Sequence, residues 1–162
     1  MKDAPSNSDN VIDSRDIIKR IEELQEEREV LVDAVAEKRE TLNDAIDPTS
    51  CLGKEERQEA RDALAEAEDE LKTWDEDDGQ ELKALTDLAD EASASPDWTY
   101  GETLIRDSYF QDYAMQLAEE IGAIGENLDW PACHIDWDAA ADALKQDYTR
   151  VDFDGVDYWI RS

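Results

Sequence analysis

Apolar side chains recur in alternating steps of four and three residues in two stretches of the chain. The first series is Ile17, Ile21, Leu24, Arg28, Leu31, Val35, Lys38, Leu42 and Ala45. The second series is Ala60, Leu64, Ala67, Leu71, Trp74, Asp78, Glu81, Leu85, Leu88 and Ala92. This spacing places each series on one face of an α-helix, as in a coiled coil, with a few charged interruptions. The two series therefore predict long amphipathic helices, each with a seam of mostly apolar residues.

The segment between the two seams, "IDPTSCLGKEE", favours a turn, because Pro48 cannot lie inside a helix and Gly53 suits a chain reversal. Two seams joined in this way predict an antiparallel helical hairpin, capped at its start by Asp13 or Ser14. A single helix over residues 54–92 is favoured over two helices that meet near "DDGQ". In this hairpin Arg28 lies level with residues 72–78, which predicts an ion pair with Asp75 or Asp78.

The composition changes after "SASPDW", residues 93–98, and the remaining chain predicts a small α+β module. A helix is expected from a cap at Asp107 to Gly122, and another after Asp136 or Asp138. The closing segment alternates around Asp154-Gly155, which predicts a β-hairpin. Its register should place Phe153 opposite Val156 and Val151 opposite Tyr158. The aromatic residues expected to build this module's core are Trp130, Trp137, Tyr148, Tyr158 and Trp159.

The predicted fold class is mainly α, with a long coiled-coil-like helical hairpin followed by a small α+β module that ends in a β-hairpin. The predicted boundaries are a disordered tail over residues 1–12, the helical hairpin over residues 13–95 and the module over residues 96–162.

The net charge of the chain excludes several classes of binding partner. The 162 residues include 45 acidic and 16 basic side chains, a formal net charge of −29. Such a charge repels DNA, RNA and anionic membranes, so no direct nucleic-acid or membrane binding is expected. No apolar run approaches the roughly 20 residues that a membrane span needs. Cys51 and Cys133 have no metal or disulfide spacing, which favours a reducing cytoplasm.

The side chains that carry most enzyme chemistry are scarce. His134 is the only histidine, and its neighbours form no recognisable catalytic group. Cys133 and His134 supply at most two of the four ligands of a closed zinc site. Aligning Gly79 with the invariant glycine of a calcium loop puts Trp74 and Leu85 at ligand positions, so that motif fails. The sequence therefore predicts no catalytic residue, no metal, no cofactor and no enzyme.

One stretch, "AEAEDELKTWDEDDGQEL" at residues 65–82, holds nine acidic side chains and one lysine. A run of like charge is usually a solvated face. Acid occurs on every predicted folded part of this chain, however, rather than in one terminal block. The candidate surface for binding a basic partner is Asp62, Glu66, Glu70, Asp75, Glu76, Asp77, Asp78 and Glu81.

A resemblance adds to this interpretation. Residues 98–162 contain a Tyr109-Phe110 pair that opens an acidic helix, an "IDW" helix start at residues 135–137 and the closing "DYTRVDFDGVDYWIR". These features are similar in style to the C-terminal end of ArdA-type antirestriction proteins of phages and plasmids. Those proteins are acidic DNA mimics that occupy the DNA groove of restriction enzymes. The predicted helical hairpin departs from the mixed α/β modules of that family, so the resemblance implies distributed charge and no individual site residue.

Two functions fit these sequence features. The leading hypothesis is an anti-defence DNA mimic in the host cytoplasm, whose acidic surface blocks a basic nucleic-acid-binding protein such as a restriction or CRISPR nuclease. The alternative is a coiled-coil interaction or scaffold protein of a phage or plasmid, whose acidity serves solubility. The sequence leaves a homodimer open in both cases.

Overall fold

The computed structural model describes residues 4–125 and 129–162. It is mainly α with a small antiparallel sheet, which confirms the predicted fold class. The helices are α1 (Ser14–Ile46), α2 (Lys54–Glu76), α3 (Asp78–Ala92), α4 (Trp98–Gly101), α5 (Phe110–Glu120) and α6 (Trp137–Leu144). The strands are β1 (Val11–Asp13), β2 (Thr103–Arg106), β3 (Tyr148–Phe153) and β4 (Val156–Arg161).

The chain divides into two compact units. The hairpin unit comprises residues 21–83, and the sheet unit comprises the described residues up to 20 and from 84 onward. The first turns of α1 and most of α3 therefore belong to the sheet unit, unlike in the predicted division at residues 13 and 95. The seam periodicity runs through both boundaries without a break, so the helices alone do not reveal them.

The segment predicted as a disordered tail contains part of the sheet. Val11 and Ile12 belong to β1, and Ile12 is buried opposite Leu104 of β2. The Tyr158 hydroxyl also donates a hydrogen bond to the Asp9 carbonyl oxygen at 2.5 Å. The prediction of a tail over residues 1–12 is thus corrected for its described residues. A strand of three residues is too short to be recognised by alternation.

The hairpin unit pairs α1 with α2 in antiparallel order. Arg28 Nε donates to Asp75 Oδ1 at 2.9 Å, and Arg39 Nη2 donates to Glu68 Oε1 at 2.7 Å. The partner's number falls as the arginine's number rises, as an antiparallel pair requires. Of the two partners predicted for Arg28, Asp75 and Asp78, the structure shows the ion pair with Asp75. In both seams every position is buried or half-buried except Arg28, which is exposed.

The favoured single helix over residues 54–92 is wrong by one residue. Asp77 separates α2 from α3, with a ψ of −79°, although its N–H still donates to the Thr73 carbonyl at 3.1 Å. The interruption falls among four successive acids, residues 75–78, followed by Gly79. Repulsion between neighbouring like charges and the low helix propensity of glycine both weaken the helix there.

The sheet unit contains four antiparallel strands in the order β1-β2-β4-β3. The hairpin of β3 and β4 pairs Phe153 with Val156 and Val151 with Tyr158, which confirms the predicted register. Asp154 and Gly155 have φ values of 49° and 80° at the turn. Positive φ at both central residues is the requirement of the tight turn that matches strand twist, and glycine adopts it without strain.

Helices α5 and α6 cover one face of this sheet. The buried members of the resulting core are Ile105, Phe110, Ala114 and Ala141. Asp136 caps α6 by accepting the Ala139 N–H at 3.0 Å, as predicted. Asp107 does not cap α5. Its Oδ1 instead accepts hydrogen bonds from Lys145 Nζ and Trp159 Nε1, both at 2.7 Å.

Most of the predicted aromatic core is correct. Tyr158 is fully buried, and Trp137, Tyr148 and Trp159 are half-buried. Trp130 is the exception, because 80% of its surface is exposed. It lies in an irregular segment between α5 and α6, where no helix or strand periodicity directs a side chain toward the core.

Candidate acidic interaction surface

The acidic residues singled out from the sequence lie on α2, on α3 and at Asp77 between them. Asp78 and Glu81 are half-buried because they occupy seam positions. The exposed members are Asp62, Glu66, Glu70, Asp75, Glu76 and Asp77. At about 100° per residue, the eight positions are spread around the whole helix circumference. The structure therefore does not bring them together on one face, and the predicted patch is corrected in this respect.

Helix α1 carries a more regular acidic surface, which the sequence analysis did not single out. Seven acids follow one another in steps of three and four along its outer side, and all seven are exposed. They lie within about 80° of the helix circumference and opposite the apolar seam. This α1 stripe consists of Glu22, Glu26, Glu29, Asp33, Glu37, Glu40 and Asp44.

Helix α2 carries a second stripe of the same kind. It includes three residues of the predicted patch and three further acids, two of which lie nearer the start of the helix. All six are exposed and point away from the seam. This α2 stripe consists of Glu55, Glu59, Asp62, Glu66, Asp69 and Glu76. Both stripes were visible in the sequence as a 3-4 repeat of acids between the seam positions, a signal hidden by the density of acid everywhere else.

The basic residues of the hairpin unit lie mostly beside these stripes rather than within them. Arg28 and Arg39 bind Asp75 and Glu68, which belong to neither stripe. The hydrogen bond and the charge of Asp75 raise the pKa of Arg28 above its ordinary value. Lys72 approaches Glu76 at 3.7 Å, and Lys38 approaches Glu37 at 3.6 Å. The arginines thus hold the two helices in register while the outer faces stay acidic.

The resulting charge density is close to that of nucleic acid. Residues 21–83 contain 23 acidic and 8 basic side chains, a net charge of −15. The part of α1 in this unit spans about 39 Å at a rise of about 1.5 Å per residue. The unit therefore carries one net negative charge per roughly 2.6 Å, between about 1.7 Å for duplex DNA and about 3.4 Å for one strand.

In the described part of the chain, no group of three or more His, Cys, Asp and Glu residues is arranged to hold a metal ion. His134, Cys51 and Cys133 are exposed and stand apart from any such group. Among the described helices, none is both long and apolar enough to cross a membrane. The acidic stripes are thus the most distinctive chemical feature of the hairpin unit.

Comparisons with protein-family models, with curated proteins and with solved structures found no match. The resemblance of residues 98–162 to the ArdA-type antirestriction proteins accordingly stays a prediction. The surface is assigned from its charge, spacing and exposure alone.

Proposed function

We propose that this protein is a DNA mimic that inhibits a basic nucleic-acid-binding protein of its host. The observation that carries the proposal is the pair of exposed carboxylate stripes on the outer faces of α1 and α2. Two helices side by side, each about 10–12 Å across, hold the stripes on opposite sides of a rod comparable in width to a DNA duplex. Such a rod offers a basic groove rows of negative charge at fixed positions.

The energetics are those of protein–DNA binding with the roles exchanged. A basic groove gains free energy when its lysines and arginines replace the counterions condensed on a dense array of negative charge. The hairpin unit has the charge density to retain such counterions, so a partner can release them. Binding of this kind is distributed over many carboxylates and weakens steeply as salt screens exposed charges over about 8–10 Å.

The kind of target follows from the mimicry. Restriction and CRISPR nucleases bind DNA through lysines and arginines that line an extended groove. The resemblance of the C-terminal module to antirestriction proteins supports the same class. The proposed site of action is the host cytoplasm, where such nucleases meet incoming DNA.

The test compares two variants with equal net charge. In the first, the seven acids of the α1 stripe are replaced by Gln or Asn, which keeps side-chain shape. In the second, seven exposed acids of the sheet unit are replaced in the same way: Asp97, Asp112, Glu119, Glu120, Asp138, Asp142 and Asp147. Inhibition of DNA cleavage is then measured against a panel of purified restriction endonucleases and CRISPR effectors.

For an inhibited nuclease we expect the stripe variant to lose inhibition by roughly tenfold or more, because the change removes charge from the binding face. The sheet-unit variant should inhibit nearly as well as the unchanged protein. Duplex DNA should displace the protein from the nuclease, and added salt should weaken the complex. Equal loss in both variants, or a complex indifferent to DNA and salt, contradicts the proposal.

A second candidate function is a helical interaction or scaffold protein. It is favoured by Leu31, Leu42, Leu64 and Leu71, which are only half-buried in the seam and could accept further helices. A homodimer through this seam would be one form of it. In that case the stripe variant behaves like the unchanged protein, while replacing the seam leucines abolishes association in analytical ultracentrifugation.

A further inference from the structure

The sheet unit contains a groove of about 420 Å³, of mixed apolar and polar lining, formed by described residues of the segment that connects α5 to α6. Ile124, Trp130, Pro131 and Ile135 contribute its main apolar walls, and Asp129 is its one charged lining residue among those described. Trp130 keeps 80% of its surface exposed, and Ile135 keeps 36%. An isolated exposed aromatic residue is unremarkable. Trp130 also lines a groove, however, and tryptophan is among the residue types most enriched in interaction hot spots.

The charge around this groove restricts what can enter it. Residues 107–144 contain nine acidic side chains and neither lysine nor arginine. Asp129 lies in the groove, and Asp136 and Asp138 follow it on the exposed surface. An anionic or neutral ligand would gain only from apolar contact, and the anionic one would also be repelled. A ligand with lysine or arginine beside an apolar group gains binding free energy from apolar contact and also from its charge. The cation can pair with carboxylates and with the face of the indole ring.

We propose that this groove binds a short segment of a protein partner in which an apolar side chain is flanked by lysine or arginine. The apolar side chain would pack against Trp130 and Ile135, and the basic side chains would face Asp129 and the acids around it. The inference does not require the partner to bind nucleic acid, so it stands or falls separately from DNA mimicry. It adds a short-range, shape-dependent contact to the distributed charge of the carboxylate stripes.

A display experiment with random short peptides tests the proposal without knowledge of the natural partner. Peptides are selected on the full-length protein and counter-selected on its Trp130→Ser variant. We expect enrichment of sequences with Leu, Ile or Phe next to Lys or Arg. One enriched peptide is then labelled, and its affinity is measured against Trp130→Ser, Ile135→Ser and the control variant Tyr100→Ser. Tyr100 is a fair control because it is equally exposed, at 80%, in the same unit and outside the groove.

The expected loss is roughly 30-fold for Trp130→Ser, as for a typical hot spot, with a smaller loss for Ile135→Ser and none for Tyr100→Ser. Replacing the peptide's apolar residues by serine should weaken binding as much as Trp130→Ser does. Three outcomes overturn the proposal. The selection yields no enrichment, the enriched peptides bind all variants equally through charge, or the unchanged protein self-associates and Trp130→Ser does not, which makes the occupant a second copy.

Discussion

The two units carry nearly the same net charge but bury very different numbers of apolar residues. The hairpin unit has a net charge of −15 over 63 residues, and the remaining 99 residues of the chain have 22 acids and 8 bases, a net −14. Among the described residues, only Leu24, Val35, Ala45 and Ala67 are buried apolar residues of the hairpin unit, against sixteen in the sheet unit. The hairpin unit therefore has the higher charge per residue and the smaller apolar core.

This contrast follows from how each unit satisfies its backbone. A helix pairs its own N–H and C=O groups along a continuous stretch, so a helical hairpin needs only one apolar seam to hold it. A sheet pairs strands that are distant in sequence, as β2 pairs with β1 and β4, and must bury more apolar surface to offset chain entropy. A helical hairpin can therefore display many exposed charges with few buried apolar residues. Its stability should depend on its seam and on the salt concentration.

The largest expected effect is a break in the hairpin's seam. Leu24 is fully buried, so Leu24→Asp places an unpaired charge in the seam and should destabilise the hairpin by roughly 3 kcal/mol or more. Circular dichroism at 222 nm should show a large loss of helix. Val30→Asp is the matched control, because Val30 is on the same helix with 64% of its surface exposed. If both variants keep full helicity, the hairpin does not depend on its seam.

The seam was predictable because it repeats over many turns, and each repeat adds evidence. The heptad spacing predicted the regions of α1 and of α2 with α3, although it favoured one continuous helix for the latter two, and the antiparallel turn placed Arg28 level with Asp75 and Asp78, of which Asp75 is the observed partner. The β-hairpin register was predictable because Asp154-Gly155 allows one tight turn. Short or irregular features escaped: β1 has three residues, and the interruption at Asp77 reflects a local balance of repulsion and helix propensity.

The sequence predicted that an acidic surface exists but not which residues form it. Local density of acid drew attention to residues 65–82, whereas exposure on one helix face depends on the phase of each acid relative to the seam. Asp78 and Glu81 fall in phase with the seam and are half-buried, while Glu26 and Asp33 fall opposite it. Trp130 was wrongly predicted to lie in the core, because no helix or strand period governs its position between α5 and α6.

Salt should sharpen the comparison between the units. Raising the ionic strength from about 0.01 M to about 1 M shortens the screening length from about 30 Å to about 3 Å. We expect the melting temperature to rise by roughly 5 °C, which corresponds to roughly 2 kcal/mol for a chain of this size. Amide hydrogen exchange should show that the added protection is larger in α1 and α2 than in β3 and β4. Equal increases of amide protection in both units would mean that the small core of the hairpin unit does not make its stability more dependent on charge repulsion.

A pH titration addresses the sheet unit through Asp107. The hydrogen bonds from Lys145 and Trp159 lower the pKa of this carboxyl in the folded chain. A lowered folded pKa stabilises the protein above the unfolded value of about 3.9, and the contribution is lost as pH falls through the folded value. Asp107→Asn should therefore cost about 1 kcal/mol at neutral pH, a modest amount because this side chain is 49% exposed.

The difference in unfolding free energy between Asp107→Asn and the unchanged protein should shrink as the pH falls through the lowered pKa of Asp107, because protonation removes the charge that asparagine also lacks. Asp112→Asn, the same carboxylate-to-amide change at an exposed position on α5, provides the control. A difference that persists unchanged at low pH would assign the effect of Asp107 to packing rather than to its charge.

The smallest expected effect concerns the cross-helix pair of the hairpin. Arg28 and Asp75 lie 2.9 Å apart with side chains 45% and 43% exposed, so water screens much of their attraction. A cycle of Arg28→Glu, Asp75→Lys and the double variant should give a coupling of roughly 0.5 kcal/mol, reduced by high salt. Arg28→Glu alone should lower the melting temperature because it sets two carboxylates face to face, and the charge-exchanged double variant should recover part of the loss. A coupling near zero would mean that the pair of Arg28 and Asp75 does not help to fix the helix register. A measurable coupling would instead show that the hairpin uses a few of its scarce cations to fix the register in which its carboxylate stripes are displayed.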